Sequence, residues 1–413
     1  MVKPPSTLIV GAGQAGLQIA ASLRELGATG PITLVGGEPH PPYQRPPLSK
    51  AYLQGKMAAD ELALQGPDFY RDHRIDVIAG EWVEAIELTD AETGAGRATT
   101  RAGKVLAFDR LALTLGGTPR RMAVPGGDLA GIHYLRTMAD ADALRADLAG
   151  AENLVVVGGG FVGLEIAASA TAMGQHVTVL EVADRLMARV VAPVMSEFYA
   201  TAHRRRGTRV LLGAGVTGFT GRAGRVCQVD RSDGDPLPAD VVVVGIGLLP
   251  NVGLAESLGL ACDGGLVIDP RARTSLPSVV AAGDCTIMTH PERGPLRLES
   301  VQNAIAQGKT AAATLAGVEP PPPTVPWFWS DQADLKLQMA GLNHGYDQVV
   351  VRGEPASEQF SALYYRAGAL VSIEAVNAPR DYMAVRRLLE TGRALPAEAA
   401  GDPSQSLKDF WRA

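Results

Sequence analysis

Two copies of the pattern Gly-x-Gly-x-x-Gly, each lying between a strand-like run and a helix-like run, constrain the fold more than any other feature. The first is LIVGAGQAGLQIA (Leu8–Ala20) and the second is VVVGGGFVGLEIA (Val155–Ala167). In this setting the first glycine allows a tight turn, the second lets a pyrophosphate approach the backbone, and the third lets the helix pack against the strand. The chain is therefore predicted to contain two dinucleotide-binding βαβ units.

The acid that ends the second strand of each unit separates the two sites. Glu181 ends the strand that follows the second turn. A carboxylate at this position accepts hydrogen bonds from an adenosine ribose and repels a 2′-phosphate, which predicts NAD(H) rather than NADP(H). Arg185, four residues later, could still meet a phosphate. In the first unit the acid is displaced beyond Gly37 to Glu38, so Glu38 is either the ribose ligand or a solvated loop residue.

Length, charge and cysteine usage exclude several classes of protein. A chain of 413 residues predicts two or three domains, and a net charge of −6 argues against nucleic acid as the main partner. Cys227, Cys262 and Cys285 are scattered, so we expect no disulfide framework, no metal site and a cytoplasmic protein. The most apolar stretch, residues 154–173, is broken by glycines and contains Glu165, so it does not predict a membrane span.

Beyond the two units, the pattern indicates short strands and two further features. VVAAGDC (Val279–Cys285) predicts a strand that runs into Gly283-Asp284, where the carboxylate could bind a ribityl chain or pyrophosphate, or could cap a helix. A helix is predicted at 300–315. EPPPPTVP (Glu319–Pro326) predicts a linker, and the later pattern predicts antiparallel strands and a helix near 381–389.

The predicted fold class is α/β, with two nucleotide-binding, three-layer Rossmann-like domains and a C-terminal α+β domain. We expect strands near 76–78, 83–88 and 111–115, and again at 210–216, 241–247 and 266–268. The predicted domain bounds are 1–115 with 245–325, 116–244, and 326–413.

Further motifs carry a resemblance to a known family. They are PYQRPPLSK (Pro42–Lys50), GIGLLPN (Gly245–Asn251), AAGDC, ESVQNAIAQG (Glu299–Gly308), PWFWSDQ (Pro326–Gln332) and VNAPRDY (Val376–Tyr382). With them the sequence resembles the bacterial FAD-dependent NADH:ferredoxin reductases of oxygenase systems, the putidaredoxin reductase type, along essentially the whole chain. RPPLSK and PWFWSDQ are the motifs most specific to this branch. The family fold is glutathione-reductase-like.

The resemblance implies that the first turn binds FAD and the second binds NADH. Hydride would pass from NADH to FAD, and single electrons would pass to a 2Fe–2S ferredoxin that serves a cytochrome P450-type monooxygenase or an aromatic-ring dioxygenase. The candidate FAD ligands are Gly11, Gly13, Ala15, Gly16, Glu38, Arg45, Lys50, Val83, Arg136, Gly283, Asp284, Val301 and Trp329. The candidate NADH ligands are Gly158, Gly160, Gly163, Glu165, Glu181 and Gly247.

Three of these residues are the candidate catalytic residues. Lys50 would donate a hydrogen bond toward flavin N5, and Glu165, in the first turn of its helix, would pair with Lys50 and orient the nicotinamide. The alternative is an ordinary salt bridge between domains. Trp329, with Trp327 two residues before it, would shield the flavin and pass electrons, and core packing is the alternative. An acidic ferredoxin is expected to dock near four basic residues unless they only form a solvated face: Lys309, Arg386, Arg387 and Lys408.

Two departures from the family pattern and two other functions remain open. The first strand-end acid is missing at Gly37, and a hydroxyl expected at Leu115 is absent. The chain has no Cys-x-x-Cys after the first unit, so electrons must leave the flavin without a dithiol relay. An NADH oxidase or peroxidase would need a redox-active cysteine, for which only Cys285 is near the flavin by motif. A binding protein similar to the apoptosis-inducing flavoproteins is the other alternative.

Overall fold

The computed structural model describes residues 3–290 and 293–412. The helices are α1 Gln14–Glu25, α2 Pro67–Asp72, α3 Met138–Leu148, α4 Phe161–Ala172, α5 Pro193–Arg205, α6 Gly253–Ser257, α7 Val301–Ala316, α8 Pro379–Thr391, α9 Ala397–Gly401 and α10 Asp409–Arg412. The strands are β1 Thr7–Val10, β2 Ile32–Gly36, β3 Ile75–Ala79, β4 Val83–Asp90, β5 Ala95–Thr100, β6 Val105–Phe108, β7 Arg110–Leu113, β8 Gly117–Pro119, β9 Ile132–His133, β10 Asn153–Val157, β11 His176–Glu181, β12 Arg209–Leu212, β13 Val216–Arg222, β14 Arg225–Arg231, β15 Leu237–Pro238, β16 Val241–Val244, β17 Leu248–Pro250, β18 Leu266–Ile268, β19 Val279–Ala281, β20 Thr286–His290, β21 Gly294–Leu296, β22 Trp327–Gln332, β23 Leu335–Gly341, β24 Gln348–Glu354, β25 Gln359–Arg366 and β26 Ala369–Val376.

The chain divides into two compact units. The first unit contains the residues up to Gln44, 60–118 and 248–324, and the second contains 45–59, 119–247 and the residues from Val325 onward. Residues 45–59, which contain the whole RPPLSK motif (Arg45–Lys50), therefore cluster with the second glycine turn. None of the described helices is long and apolar enough to span a membrane.

The first unit is built on a parallel sheet in the order β19-β7-β1-β2-β3. Its central strand β1 is buried at every position, because helices cover both faces of a parallel sheet. Helices α1 and α7 pack closely, and a Cβ on Gly308 would lie 2.9 Å from the Cβ of Gln18. The unit also contains the antiparallel sheet β4-β5-β6 and the mixed sheet β18-β20-β21, in which β18 and β20 are parallel and β20 and β21 are antiparallel.

The second unit contains a second parallel sheet in the order β12-β11-β10-β16-β9. The run VVVV of β16 is fully buried, as expected for the middle of such a sheet. An antiparallel sheet, β22-β23-β26-β25-β24, forms the C-terminal part. One of its faces shares a core with the second parallel sheet through Leu337 and Phe360, and the other packs α8 through Leu363 and Ile373.

The predicted fold class is confirmed by these two parallel sheets and the C-terminal α+β part. The helix predicted at 300–315 is α7, which is capped by Ser300 and ends at Gly317 with φ 73°. The single strand predicted at 210–216 is wrong, since β12 ends at Leu212 and Val216 begins β13. Gly213, with φ 67°, turns the chain between them. The sequence also missed β22, which begins directly after the proline-rich linker.

Candidate active site

Both glycine turns have the local geometry that a pyrophosphate needs. In the first, a Cβ on Gly11 would lie 2.0 Å from Thr114 O, and a Cβ on Gly16 would lie 2.1 Å from Gly11 O. In the second, the corresponding distances are 2.5 Å from Gly158 to Gly245 O and 2.2 Å from Gly163 to Gly158 O. At the outer positions of each turn, a side chain would therefore clash with the protein's own backbone, so glycine is required there whether or not a ligand is bound.

The middle glycine of each turn faces open space instead. A Cβ on Gly13 or on Gly160 would have no described atom within 4 Å. Each of these glycines is the N-cap of a twelve-residue helix, α1 or α4, whose first N–H groups and dipole favour an anion. The residues present thus fit two dinucleotides, one at each turn.

In the first unit, the Gly283-Asp284 turn lies against the first glycine turn. A Cβ on Gly283 would lie 3.2 Å from the Cβ of Ala15. The turn is fixed by Gln307, whose Oε1 accepts hydrogen bonds from the Gly283 N–H (2.8 Å) and the Thr286 hydroxyl (2.9 Å). Asp284 is followed by β20 and not by a helix, so it is not a helix cap. The structure therefore leaves the carboxylate of Asp284 in a turn beside the nucleotide-binding turn.

The two valines of the candidate FAD set occupy the starts of regular elements. Val83 is buried and begins β4. Val301 begins α7, where the Ser300 Oγ accepts a hydrogen bond from the Asn303 N–H (3.1 Å). Because valine side chains are apolar, the group that could bind a ligand in both cases is the main chain at the start of the element.

The missing acid at Gly37 has a steric explanation. A Cβ on Gly37 would lie 2.2 Å from Cε2 of Trp82, so the indole ring occupies the space of a side chain at this position. The neighbouring Glu38 is held in place, because its carboxylate accepts a hydrogen bond from the Tyr43 hydroxyl (2.5 Å) and its carbonyl accepts one from the Gly80 N–H (2.8 Å). Glu38 is half-buried and is therefore not a freely solvated loop residue.

Restoring the acid is expected to weaken dinucleotide binding at the first glycine turn, where FAD is the ligand expected from the sequence. Gly37→Glu forces the new side chain against Trp82, and overpacking of this kind costs about 1–3 kcal/mol, or roughly 5- to 100-fold in the affinity of the adjacent site. Gly37→Glu combined with Trp82→Ala should recover the affinity. The measurement is flavin absorbance per chain after desalting. Full flavin retention in the single variant would contradict this explanation.

The hydroxyl missing at Leu115 is present one residue earlier. Thr114 Oγ donates a hydrogen bond to Gly11 O (2.7 Å), and Val10 O lies 3.1 Å away. This threonine supports the backbone of the first glycine turn. The departure at Leu115 therefore leaves the turn itself supported.

In the second unit, Glu181 binds the backbone of the second glycine turn. Its Oε2 accepts a hydrogen bond from the Gly159 N–H (2.7 Å), and its Oε1 accepts one from the Ala183 N–H (2.8 Å). Arg185 donates to Ala188 O, Val191 O and the Ser196 hydroxyl at 2.6–2.9 Å. Because these bonds hold its guanidinium inside the loop, Arg185 is poorly placed to meet a 2′-phosphate.

Gly247 ends the turn after β16, at the carboxyl edge of the second parallel sheet. Its φ of 112° requires glycine. A Cβ at this position would lie 3.6 Å from Arg189 Nη2. Ligands of open parallel sheets bind at this edge, so Arg189 is a candidate residue that the sequence reasoning missed.

Lys50 and Glu165 form a largely buried ion pair within the second unit. Lys50 Nζ lies 2.6 Å from Glu165 Oε2, and the two side chains are 19% and 6% exposed. Lys50 also donates to Pro46 O (3.0 Å). A pair this buried is not a weak surface salt bridge, and removal of one partner would leave an uncompensated charge.

Glu165 has two further partners that the sequence reasoning did not find. The Ser49 hydroxyl donates to Glu165 Oε2 (2.6 Å), and the Ser330 hydroxyl donates to Oε1 (2.7 Å). Both serines lie in the RPPLSK and PWFWSDQ motifs, which was the available signal. Glu165 is the fifth residue of α4, so its predicted place in the first turn of the helix is wrong by one residue.

A polar chain continues from Ser330 into the protein. Gln332 Nε2 donates to the Ser330 hydroxyl (3.2 Å), and His203 Nε2 donates to Gln332 Oε1 (2.8 Å). Burial lowers the pKa of His203, which favours the neutral form of this histidine. Since residues two apart in a strand share a face, Ser330 and Gln332 point together toward α4 and α5.

Arg45 and Arg136 are brought together in the second unit. Arg45 Nη1 donates to the carbonyl oxygen of Arg136 (2.7 Å), and the Arg136 N–H donates to Asp140 Oδ2 (3.1 Å). Both candidate FAD ligands thus lie at the start of α3, whose N-cap is Thr137.

The two tryptophans lie on the opposite face of β22 from Ser330. The ring centroids of Trp327 and Trp329 are 5.9 Å apart. Arg386 lies over the Trp327 ring at 4.7 Å, and Trp327 packs against the core of the C-terminal part. Trp329 is half-buried, and its described ring contacts are to Trp327 and Phe328.

The candidate docking residues differ in their surroundings. Arg386 and Arg387 both form ion pairs with Glu390, at 3.0 and 3.4 Å. Lys408 is exposed in the second unit and Lys309 is exposed in the first. The group formed by Arg386, Arg387 and Glu390 on α8 therefore keeps a net positive charge.

Models of known protein families match both the nucleotide-binding part and the C-terminal part of the chain. The model of the pyridine nucleotide-disulphide oxidoreductase family matches residues 5–308, and the reductase C-terminal model matches residues 327–411. The chain is 45% identical over 404 residues to rhodocoxin reductase of Rhodococcus erythropolis, covering 98% of this chain and 93% of that protein.

Two solved structures are similar over nearly their full lengths. The covalent putidaredoxin reductase–putidaredoxin complex matches with a TM-score of 0.94 and 38% identity, covering 99% of this chain and 98% of that chain. The ferredoxin reductase for the CYP199A2 system of Rhodopseudomonas palustris matches with a TM-score of 0.93 and 41% identity, covering 98% and 99%.

Proposed function

The chain belongs to the pyridine nucleotide-disulphide oxidoreductase family, and we propose that it is an FAD-containing, NADH-dependent ferredoxin reductase. Its acceptor is a 2Fe–2S ferredoxin that serves an oxygenase, in line with the partners named for the similar reductases. The observation that carries this function is the pair of glycine turns, each with two tightly packed outer glycines and an open middle glycine. FAD, when bound, supplies the chemistry that accepts two electrons as hydride and releases them singly.

We assign the first turn to FAD and the second to NADH. The domain assignment that goes with this is 1–115 with 245–325 for FAD, 116–244 for NADH, and 326–413 for the C-terminal domain. Ala15, Gly283, Asp284 and Glu38 lie around or next to the first turn, which supports the FAD assignment. The three free cysteines suit the reducing cytoplasm, where we place the protein.

Lys50 and Glu165 are proposed to act on the nicotinamide end of NADH and on the flavin. The carboxylate of Glu165 is held by Ser49, Lys50 and Ser330, so its orientation is fixed before any ligand binds. A fixed acceptor and a fixed ammonium group position a reactant without forming a covalent bond. Trp329 is proposed to shield the flavin edge, supported by its half-buried place beside Trp327.

NADH is preferred to NADPH in this proposal. Glu181 places a carboxylate at the strand end, and Arg185 is tied to Ala188, Val191 and Ser196. A 2′-phosphate would meet the acid without gaining that arginine.

The oxidase or peroxidase alternative requires a reactive thiol. Burial raises the pKa of Cys285 to about 11, and its side chain is fully buried. Burial also raises the pKa of Cys262. Such thiols are poor nucleophiles, so the electrons are proposed to pass from flavin to ferredoxin directly.

Ferredoxin docking is proposed on the basic residues of the C-terminal domain. Arg386 stacks on Trp327, which is 5.9 Å from Trp329, so a partner bound at α8 would lie near the aromatic pair.

Arg387→Glu is expected to raise KM for ferredoxin about five- to tenfold at low ionic strength and much less at high salt. Arg97→Glu, in an exposed arginine–glutamate pair of the first unit, is the matched control. Equal effects of the two variants would place docking elsewhere.

The functional test is NADH-driven reduction of cytochrome c with and without an added 2Fe–2S ferredoxin, while dissolved oxygen is followed. Reduction should rise steeply with ferredoxin, oxygen uptake should stay small, and NADPH should serve poorly. Oxygen consumption equal to NADH oxidation, with no effect of ferredoxin, would instead identify an oxidase.

A further inference from the structure

The β11–α5 loop (residues 182–192) packs directly on the second glycine turn. The Met187 N–H donates to Gly159 O (2.9 Å). A Cβ on Gly159 would lie only 2.5 Å from Cδ2 of Leu186. The position of this loop therefore fixes the backbone of the turn that we assign to NADH.

The end of this loop is held by a buried acid of the C-terminal sheet. Glu374, on β26, is 0% exposed. Its Oε2 accepts a hydrogen bond from the Tyr364 hydroxyl (2.7 Å), its Oε1 accepts one from Asn343 Nδ2 (2.8 Å), and it also accepts one from the Ala192 N–H. Asn343 Nδ2 lies 3.4 Å from Val190 O as well. One carboxylate thus joins the C-terminal sheet to the last residues of the loop.

The loop is a rigid element that carries one exposed cation. Arg185 bonds to Ala188 O, Val191 O and the Ser196 hydroxyl, which ties the loop to itself and to α5. Arg189 is exposed and forms no ion pair with any described residue. Its Nη2 lies 3.6 Å from the position of a Cβ on Gly247, at the carboxyl edge of the sheet.

We propose that Glu374 is a positioning residue for NADH binding: it fixes the β11–α5 loop so that Arg189 is available to the phosphates of the nucleotide. The proposal rests on the assignment of NADH to the second glycine turn. It explains why a carboxylate, costly to bury, occupies the interior of the protein at this position of the C-terminal sheet. The C-terminal domain thereby contributes to the affinity for the electron donor as well as to docking.

The charge state of Glu374 gives the proposal a pH signature. The groups around Glu374 are Tyr364, Asn343, the Ala192 N–H, Arg185, Tyr199 on α5, and Tyr346, whose ring packs on Tyr364. Burial raises the pKa of Glu374 from 4.5 to about 7 despite these partners. As pH falls through about 7, the carboxyl gains a proton and can no longer accept all three hydrogen bonds. The KM for NADH is expected to rise in that direction.

The test compares four variants of the full-length holoenzyme. Glu374→Gln removes the charge, Tyr364→Phe removes one donor to it, and Arg189→Ala removes the cation. Tyr365→Phe is the matched control, because the Tyr365 hydroxyl is buried without a hydrogen-bond partner among the described residues. The readouts are KM and kcat for NADH from pH 6 to 8, the dissociation constant of NAD+ by calorimetry, and flavin content.

Glu374→Gln and Arg189→Ala should each raise KM for NADH and the dissociation constant of NAD+ about tenfold, the effect of one charge-assisted hydrogen bond. A fifth variant that combines Glu374→Gln with Arg189→Ala should have a KM for NADH no higher than that of either single variant. The kcat and flavin content should change little, and the KM of Glu374→Gln should lose its rise below pH 7. Tyr365→Phe should match the wild type.

Unchanged KM and NAD+ affinity in Glu374→Gln would overturn the proposal and leave Glu374 a structural residue. If Glu374→Gln does not fold, Tyr364→Phe and Arg189→Ala decide the question by the same readouts. Failure of NADH as the electron donor, on which the proposal rests, is distinguishable, since the wild-type protein would then neither oxidise NADH nor bind NAD+.

Discussion

Gly160→Val is expected to keep its flavin and to raise KM for NADH at least about 100-fold. Gly160 has φ −82° and ψ 178°, which any residue adopts, and a Cβ there would have no described atom within 4 Å. The fold should therefore accept valine. Its side chain would occupy the space in front of the α4 N-terminus and remove hydrogen bonds to the pyrophosphate, each worth about 1.5–3 kcal/mol.

Gly13→Val is the matched variant at the first turn. Its backbone, with φ −101° and ψ −164°, is equally permissive, and the space is equally open. It should fold, lose FAD and retain NAD+ binding by calorimetry. Loss of flavin from Gly160→Val with retention in Gly13→Val would reverse the assignment of the two sites.

The second large effect is expected for Glu165→Gln. Lys50 would lose its counter-ion, and an amide NH₂ would face the hydroxyl of Ser49 or Ser330. Breaking a buried pair destabilises by about 3–5 kcal/mol, so thermal stability should fall. Flavin reduction by NADH, followed by stopped-flow absorbance, should slow by about 100-fold because the positioned carboxylate is lost.

Asp334→Asn provides the control for Glu165→Gln. Asp334 pairs with Arg206 in the same unit, but its side chain is 71% exposed. An exposed pair contributes about 0–1 kcal/mol, so both stability and flavin reduction should be nearly unchanged. If Glu165→Gln loses stability but reduces its flavin at the wild-type rate, the ion pair has no role in the reaction.

The local patterns of the sequence predicted the framework of both sites. Glycine turns, strand ends and helix starts are set by residues close in the chain, so Gly11, Gly160 and Glu181 could be placed by spacing alone. The pairing of Lys50 with Glu165 was available only through the resemblance, since 115 residues separate the two positions in the sequence.

The side chains that support these sites could not be predicted, because they come from distant segments. The indole ring of Trp82, in the connection between β3 and β4, occupies the space of the missing acid at Gly37. Ser330 reaches Glu165 from β22, which the sequence reasoning did not recognise as a strand. Glu374 lies in none of the sequence motifs, and its proposed role is visible only from the packing of the C-terminal sheet against the β11–α5 loop.

Electrons are proposed to pass from NADH through FAD to a one-electron acceptor without a thiol relay. The measurement that tests this route is the number of 2Fe–2S ferredoxin molecules reduced per NADH molecule oxidised, under anaerobic conditions and with the enzyme present in catalytic amounts. About two reduced ferredoxins per NADH are expected, because hydride carries two electrons. The same count is expected after alkylation of accessible thiols. A count near zero while the flavin becomes reduced, or a count abolished by alkylation, would rule out this route of electrons.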